Sequence, residues 1–483
     1  GLHSPVMGTE LHLGEDVADG ERTGDALAYD SDDLTTHGVI VGMTGSGKTG
    51  LGVVLLEEAL RGGIPTLIID PKGDMTNMAL RFPGLSADEF APWVQGDADA
   101  AETAAMWKDG LASWGLDGSH IQGLADGAPV TVYTPGSSAG VPLNMIGSLS
   151  SPGTDDTEVM ADEIDGIVAA LLGMIDVEAD PMSSPEHILL ANLIERAWTS
   201  GTALDLGMLV QQVQDPPIRK LGVLELDTFY PAKDRAKLAM KLNGLLASPA
   251  FAAWAEGVPL DIDRLLSTDG GAACSVIYLA HLSEDERQFV VTLLLSKLIT
   301  WMRGQPGTPN LRALVYMDEV FGYVPPSAKP PAKQPILTIL KQARAFGVGM
   351  VLSTQNPVDL DYKAISNAGT WMIGRLQTER DVERLSDGLA NAAGDVDVDA
   401  IKATIAGLGK REFVLHTTKG KAPRTFTTRW ALDYLAGPLT KEQLDELPGQ
   451  PDAATVATES ESSAAATVPT TDRPLDVGDD EVA

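Results

Sequence analysis

The chain has 483 residues, 44% of them apolar, which is enough for a large core in two or three units or in one core with insertions. A formal charge of −33 argues against a globally basic nucleic-acid binder but leaves room for a local basic channel, because screening confines fields to about 10 Å. A single cysteine, Cys274, in an apolar run excludes an internal disulfide or zinc cluster. With no apolar run of membrane-span length and no signal-like start, the composition fits a cytoplasmic, reducing setting.

Residues 1–36 are polar and rich in Gly and Asp; they predict an N-terminal extension that adds one or two edge strands. His37 reads as a strand-edge packing residue. Residues 39–49, Val-Ile-Val-Gly-Met-Thr-Gly-Ser-Gly-Lys-Thr, are the most informative stretch. A short buried strand leads into Gly42, Thr44, Gly45, Ser46, Gly47, Lys48 and Thr49, which fit G-x-x-x-x-G-K-[ST]; an apolar-periodic helix runs on to Arg61. Glycines let backbone N–H groups turn inward around an anion, and the helix start adds free N–H groups and a positive dipole end. In such a phosphate-binding loop Lys48 reaches the β- and γ-phosphates and the Thr49 hydroxyl ligates Mg²⁺. A Gly-rich turn with a surface lysine is the plain alternative, and the flanking strand and helix speak against it.

Gly62-Gly63 ends the helix, and residues 65–70 form a second buried strand, so this βαβ unit predicts a parallel sheet. Asp70 and Asp74 emerge at its carboxyl end and read equally as turn formers or as nucleotide neighbours. Helices and loops with Trp93, Trp107 and Trp114 follow, then a strand at 130–133 and a loop at 134–144. Residues 155–265 have helical periodicity throughout and predict a helical insertion. Within it Ser183 and Glu186 suggest a capping box, opening a helix that buries Leu189, Leu190, Leu193, Ile194 and Trp198. Lys233, Lys237 and Lys241 share one helical face, which reads as a solvated surface or as a phosphate-backbone patch.

An apolar strand at 275–279 precedes a second capping box, Ser283 with Glu286, and a helix to Arg303. Residues 313–319, Ala-Leu-Val-Tyr-Met-Asp-Glu, are a buried strand ending in two acids. Beside a phosphate-binding loop this reads as a Walker B strand, with Asp318 holding Mg²⁺ and Glu319 activating water. A Pro- and Lys-rich loop at 322–335 carries Lys329 and Lys333. A helix over 336–346 displays Lys341, Gln342 and Arg344, and Gly347 caps it. The strand at 349–353 ends near Gln355, an amide suited to sensing a γ-phosphate. The strand at 370–374 ends at Arg375, and residues 411–416 and 424–430 predict a hairpin. Residues 436–483 lose all pattern and read as a disordered acidic tail.

In order, Gly-Met-Thr-Gly-Ser-Gly-Lys-Thr, Ile-Ile-Asp-Pro-Lys-Gly-Asp, Tyr-Met-Asp-Glu, Lys-Gln-Ala-Arg-Ala-Phe-Gly-Val and Ser-Thr-Gln-Asn-Pro resemble the HerA/FtsK superfamily of P-loop ATPases. The HerA-like ATP-binding proteins are the nearest branch, and the resemblance spans residues 37–435. It implies an α/β, RecA-like P-loop NTPase core with a mostly parallel sheet and an additional strand beside the one carrying Asp318. It further implies ATP and Mg²⁺ as cofactors, a homo-hexameric ring with sites between subunits, and action as a translocase or helicase on duplex or single-stranded DNA. Carried onto this chain, Lys48 and Thr49 bind phosphate and Mg²⁺, Asp318 is the metal acid, Glu319 the base and Gln355 the sensor. A neighbouring subunit's arginine completes the site; Arg344 and Arg375 both qualify. Lys329 and Lys333, or the Lys233, Lys237 and Lys241 face, would contact DNA in the bore.

The chain departs from relatives of that superfamily in three ways. Residues 1–36 are too short for the nuclease-docking barrel of HerA proper, and FtsK-type membrane spans and winged-helix reader have no counterpart here. The insertion at 155–265 is also large for a minimal core. A nucleotide-switched scaffold for a nuclease or defence effector is therefore the alternative function, and a protein-remodelling motor ranks below both.

Overall fold

The computed structural model describes residues 8–451 except 147–148, 270, 367, 394–396 and 420–421. Strands buried on both faces must be apolar at successive positions rather than at alternate ones. Such runs define the centre of the molecule. Strands β3 (Gly38–Val41), β4 (Thr66–Asp70), β5 (Val130–Tyr133), β6 (Cys274–Tyr278), β7 (Ala313–Met317), β8 (Val348–Thr354) and β9 (Thr370–Ile373) run parallel to one another in one sheet. Four antiparallel strands extend one side: β10 (Glu412–Thr417), β11 (Arg424–Thr428), β1 (Glu10–Ala18) and β2 (Glu21–Asp30). The order across the sheet is β2-β1-β11-β10-β9-β3-β8-β7-β4-β6-β5. The mostly parallel, RecA-like sheet expected from the sequence is present. So is the additional strand: β8 lies between β3 and β7.

Two apolar layers cover the sheet. On one face Val39, Ile69, Ile277, Val315 and Leu352 pack under helices α2 (Thr157–Met174), α3 (Pro185–Thr199), α4 (Leu206–Gln214), α5 (Ala232–Ala247), α6 (Glu284–Arg303) and α7 (Lys333–Gln342). Most of these belong to the stretch read as a helical insertion. On the other face Ile40, Ile68, Val276, Tyr316 and Val351 pack under α1 (Lys48–Arg61) and the helices of residues 87–127. None of the described helices is long and apolar enough to cross a membrane.

Four details differ from the sequence reading. Ser184 holds the N-cap position of α3 without a side-chain cap, its hydroxyl accepting from Asp180 N, with Pro185 as the first helical residue, whereas Ser183 bonds Asp180 Oδ1. Helix α7 begins at Lys333, earlier than expected, because Pro335 sits in its first turn, where a proline lacks no needed N–H. The helical segment then tightens into a short 3-10 turn, Ala343–Phe346, before left-handed Gly347.

The fourth concerns the tail. Residues 436–451 are packed, not disordered: Leu439, Leu444 and Leu447 are buried. Gln450 Oε1 accepts from Val132 N (2.8 Å) and its Nε2 donates to Val130 O (2.9 Å), closing the exposed side of edge strand β5. Irregular backbone buries apolar groups at uneven spacing, so no periodicity marked it. The rest of the tail reading, residues 452–483, lies outside the described residues. Upstream of this, the chain is clamped to α1. Buried Glu57 accepts from Arg429 Nη1 (2.8 Å), Leu432 N (3.1 Å) and Asp433 N (2.9 Å).

Candidate active site

Parallel strands deliver their carboxyl ends to one edge of the sheet, where open α/β folds bind ligands. Here β3, β8, β7 and β4 stand side by side and bring four loops together. After β3 the chain turns through left-handed Gly45 (φ 80°) and Gly47 (φ 95°) before α1 starts at Lys48. Gly47 is needed twice over. L-residues resist that backbone, and a Cβ would lie 3.0 Å from Arg411 Cγ. Arg411 N donates to Ser46 O (2.9 Å), so β10 supports the loop from behind.

Lys48 is buried, and its ammonium donates to Glu319 Oε1 (2.8 Å) and Ser353 Oγ (3.2 Å) and lies 3.7 Å from Asp318 Oδ1. Gln355 bridges the site: its Nε2 donates to Glu319 Oε1 (2.8 Å) and its Oε1 accepts from Thr44 Oγ1 (2.8 Å). Thus Lys48, Asp318, Glu319 and Gln355 meet, as the sequence reading expected, with Thr44 an added partner.

The two acids differ electrostatically. Burial raises the pKa of Asp318, against the pull of Lys48, and neither of its carboxylate oxygens accepts a hydrogen bond. Burial also opposes ionisation of Glu319, but the charge and hydrogen bond of Lys48, the Gln355 amide and Lys72 outweigh it and hold its pKa below the usual value. A buried carboxylate without donors is costly unless a cation meets it. Asp318, with the partly exposed hydroxyl-bearing Thr49 at the start of α1, therefore fits a divalent ion. Among the described residues there is no cluster of three or more His, Cys, Asp or Glu that would hold a metal unaided.

The remaining expectations divide. Asp70 is a turn former: its fully buried carboxylate accepts from Gly73 N and Met75 N. Arg375 is exposed beside the chain's own phosphate loop, where its carbonyl accepts from Met43 N (2.8 Å). Arg344 is also exposed but precedes β8, and therefore lies at the opposite, amino-terminal edge of the sheet. Lys329, Lys233, Lys237 and Lys241 are exposed. Lys333 is not available for DNA: it is buried, donates to Pro325 O (2.6 Å) and pairs with Asp361 (3.1 Å), pinning the 322–332 loop to α7. One site residue escaped the sequence reading. Lys72, in the turn after β4, lies 3.6 Å from Glu319 Oε1. Its place in Asp-Pro-Lys-Gly-Asp at a strand end was the available signal.

The loop, the acid pair and the strand order define a P-loop NTPase with a RecA-like core. Residues 19–105 match the family described as "Helicase HerA, central domain". Among solved structures, VirB4 of Thermoanaerobacter pseudethanolicus is 13% identical with a TM-score of 0.52, covering 88% of this chain and 97% of that one. The conjugative coupling protein TrwB lacking its N-terminal segment is 12% identical, with a TM-score of 0.51 over 90% of this chain and 97% of that one. Plasmid coupling protein TrwB in complex with ADP and Mg²⁺ is 12% identical, with a TM-score of 0.50 over 91% and 97%. A search of the curated proteins finds no match. Residues 19–105 are therefore similar to the HerA central domain, and the chain shares the fold of VirB4 and TrwB.

Proposed function

We propose that this chain hydrolyses ATP with Mg²⁺ and acts as a ring-forming motor on DNA. The observation that carries the first part is the convergence of Lys48, Asp318, Glu319 and Gln355 on adjacent strand ends. The site is charged and pre-organised where a γ-phosphate would sit. Lys48 leaves Glu319 for the phosphates. Thr49 and Asp318 would hold a Mg²⁺, which would neutralise phosphate charge. Glu319, kept ionised and aimed by Gln355, accepts the proton of the attacking water. Gln355, tied to Thr44 in the phosphate loop, passes the state of the γ-phosphate to Glu319. The complex of TrwB with ADP and Mg²⁺ supports this choice of cofactors.

Three arguments favour a DNA-directed ring. The matched family is described as a helicase domain. Arg344 projects from the edge opposite its own phosphate loop, the arrangement a residue needs to serve a neighbour's site; we therefore assign the trans arginine to Arg344 and a local role to Arg375. Lys329 and the Lys233, Lys237 and Lys241 face supply exposed positive charge on a strongly acidic molecule.

ATP turnover with and without DNA, measured beside native mass, tests the reading. We expect DNA to stimulate turnover in an assembled species. Turnover indifferent to DNA would favour the nucleotide-switched scaffold instead. Lys48→Ala should lose nucleotide binding, whereas Glu319→Gln should bind ATP and stall. Full activity in Glu319→Gln would refute its assignment as the base.

A further inference from the structure

Lys72 occupies a position that the mechanism above does not use. The turn that carries it is rigid. Asp70 accepts from Gly73 N (2.7 Å) and Met75 N (3.0 Å), and Gly73 turns through φ 98° where a Cβ would meet Leu439 O at 3.1 Å. Strand β4 is paired with β7, Ile69 opposite Met317, so Lys72 and Glu319 leave adjacent strands side by side. The Lys72 ammonium lies 3.6 Å from Glu319 Oε1, the same oxygen that accepts from Lys48. Two ammonium groups therefore flank one small volume, Lys48 from the phosphate loop and Lys72 from the far wall.

Lys72 is half exposed and lines a cavity of about 370 Å³ with Glu319, Gln355, Asn356 and Arg287. Its charge adds to a carboxylate, Glu319, already held by Lys48 and Gln355, and also faces Asp74 and Asp318, so the lysine sits amid acids rather than in a hydrogen bond of its own turn. A terminal phosphate, in contrast, brings negative charge next to Asp318 and Glu319. It needs compensation on the side that the phosphate loop does not reach.

We propose that Lys72 is a second phosphate-binding lysine, specific to the terminal phosphate. It exchanges Glu319 for a γ-phosphate oxygen, so that the site separates nucleoside triphosphates from diphosphates. This rests on reading Gly42 to Thr49 as the triphosphate cradle.

The test compares binding of ADP and of a non-hydrolysable ATP analogue, both with Mg²⁺, to the full chain and its variants. Lys72→Met should weaken the analogue by roughly tenfold or more, the scale of one lost charge-assisted hydrogen bond, and leave ADP within about twofold. Lys72→Arg should recover part of the loss. Unchanged ADP binding also reports an intact fold. Equal weakening of both nucleotides, or no change in either, would overturn the proposal. Lys48→Ala is the control for the underlying reading: it should lose both nucleotides. If it keeps both, the cradle assignment fails and takes the Lys72 assignment with it.

Discussion

Glu319 holds its backbone in the left-handed region, φ 44°, which a side chain of its size rarely adopts. Such a conformation costs on the order of 1–3 kcal/mol and persists only where neighbours enforce it. They do here: Asp318 N donates to Ile69 O and Val320 N to Ser353 O, so both flanking residues are tied to adjacent strands. The kink turns Glu319 towards Lys48 and Gln355. Lys48, Asp318, Glu319 and Gln355 were legible in sequence because each follows an apolar strand within a few residues. Lys72 also follows a strand, β4, by two residues, but the turn Pro-Lys-Gly-Asp around it hid its link to Glu319, which the pairing of β4 with β7 creates.

His37 also has left-handed backbone, φ 70°, and is buried, with Nδ1 accepting from Met350 N (3.0 Å). Burial, aided by the charge of Arg344, lowers its pKa to about 4. The folded value lies below the unfolded one near 6.5, so as pH falls the unfolded chain takes the proton first. The full contribution is therefore present above about pH 6.5 and is lost towards pH 4, roughly 2 kcal/mol of it by pH 5. His37→Asn tolerates the backbone and keeps an acceptor. We expect it to remove that acid-side loss in denaturant titrations at pH 7.5 and 5. Identical pH dependence in the two proteins would show that His37 titrates normally.

Among elements, the parallel strands were readable because burial on both faces leaves unbroken apolar runs. The segment from Arg429 to Gln450 was not, since it binds through single anchors rather than a repeating pattern. Glu57 is the strongest of these. It is fully buried in α1 and meets Arg429, itself 5% exposed, and two backbone amides. Removing Glu57 leaves buried Arg429 with only Glu58, 3.5 Å away, and the Trp430 carbonyl. Glu57→Ala should therefore cost about 3–5 kcal/mol of stability by denaturant titration. A loss under about 1 kcal/mol would mean that water reaches Arg429 after all. The misplaced start of α7 teaches a related lesson: a proline in a first turn marks a helix already begun, and moving that start inward buried Lys333.

For the whole molecule, the assignment of Arg344 predicts sharing between copies. A head-to-tail ring pairs the phosphate loop of one subunit with the opposite edge of the next. Lys48→Ala and Arg344→Ala should each be inactive alone. Mixed in equal amounts, they should recover about a quarter of wild-type turnover, since some interfaces then join an intact loop to an intact arginine. No recovery in co-assembled mixtures would exclude Arg344 from that role.

The clamp on Glu57 also has a bearing on synthesis. The helix that begins at Lys48 is made early, but the groups that neutralise its buried carboxylate arrive with residues 429–433. A chain cut before Arg429 would leave that carboxylate without these three donors, so the helix after the glycine-rich loop draws part of its stability from a segment far along the sequence.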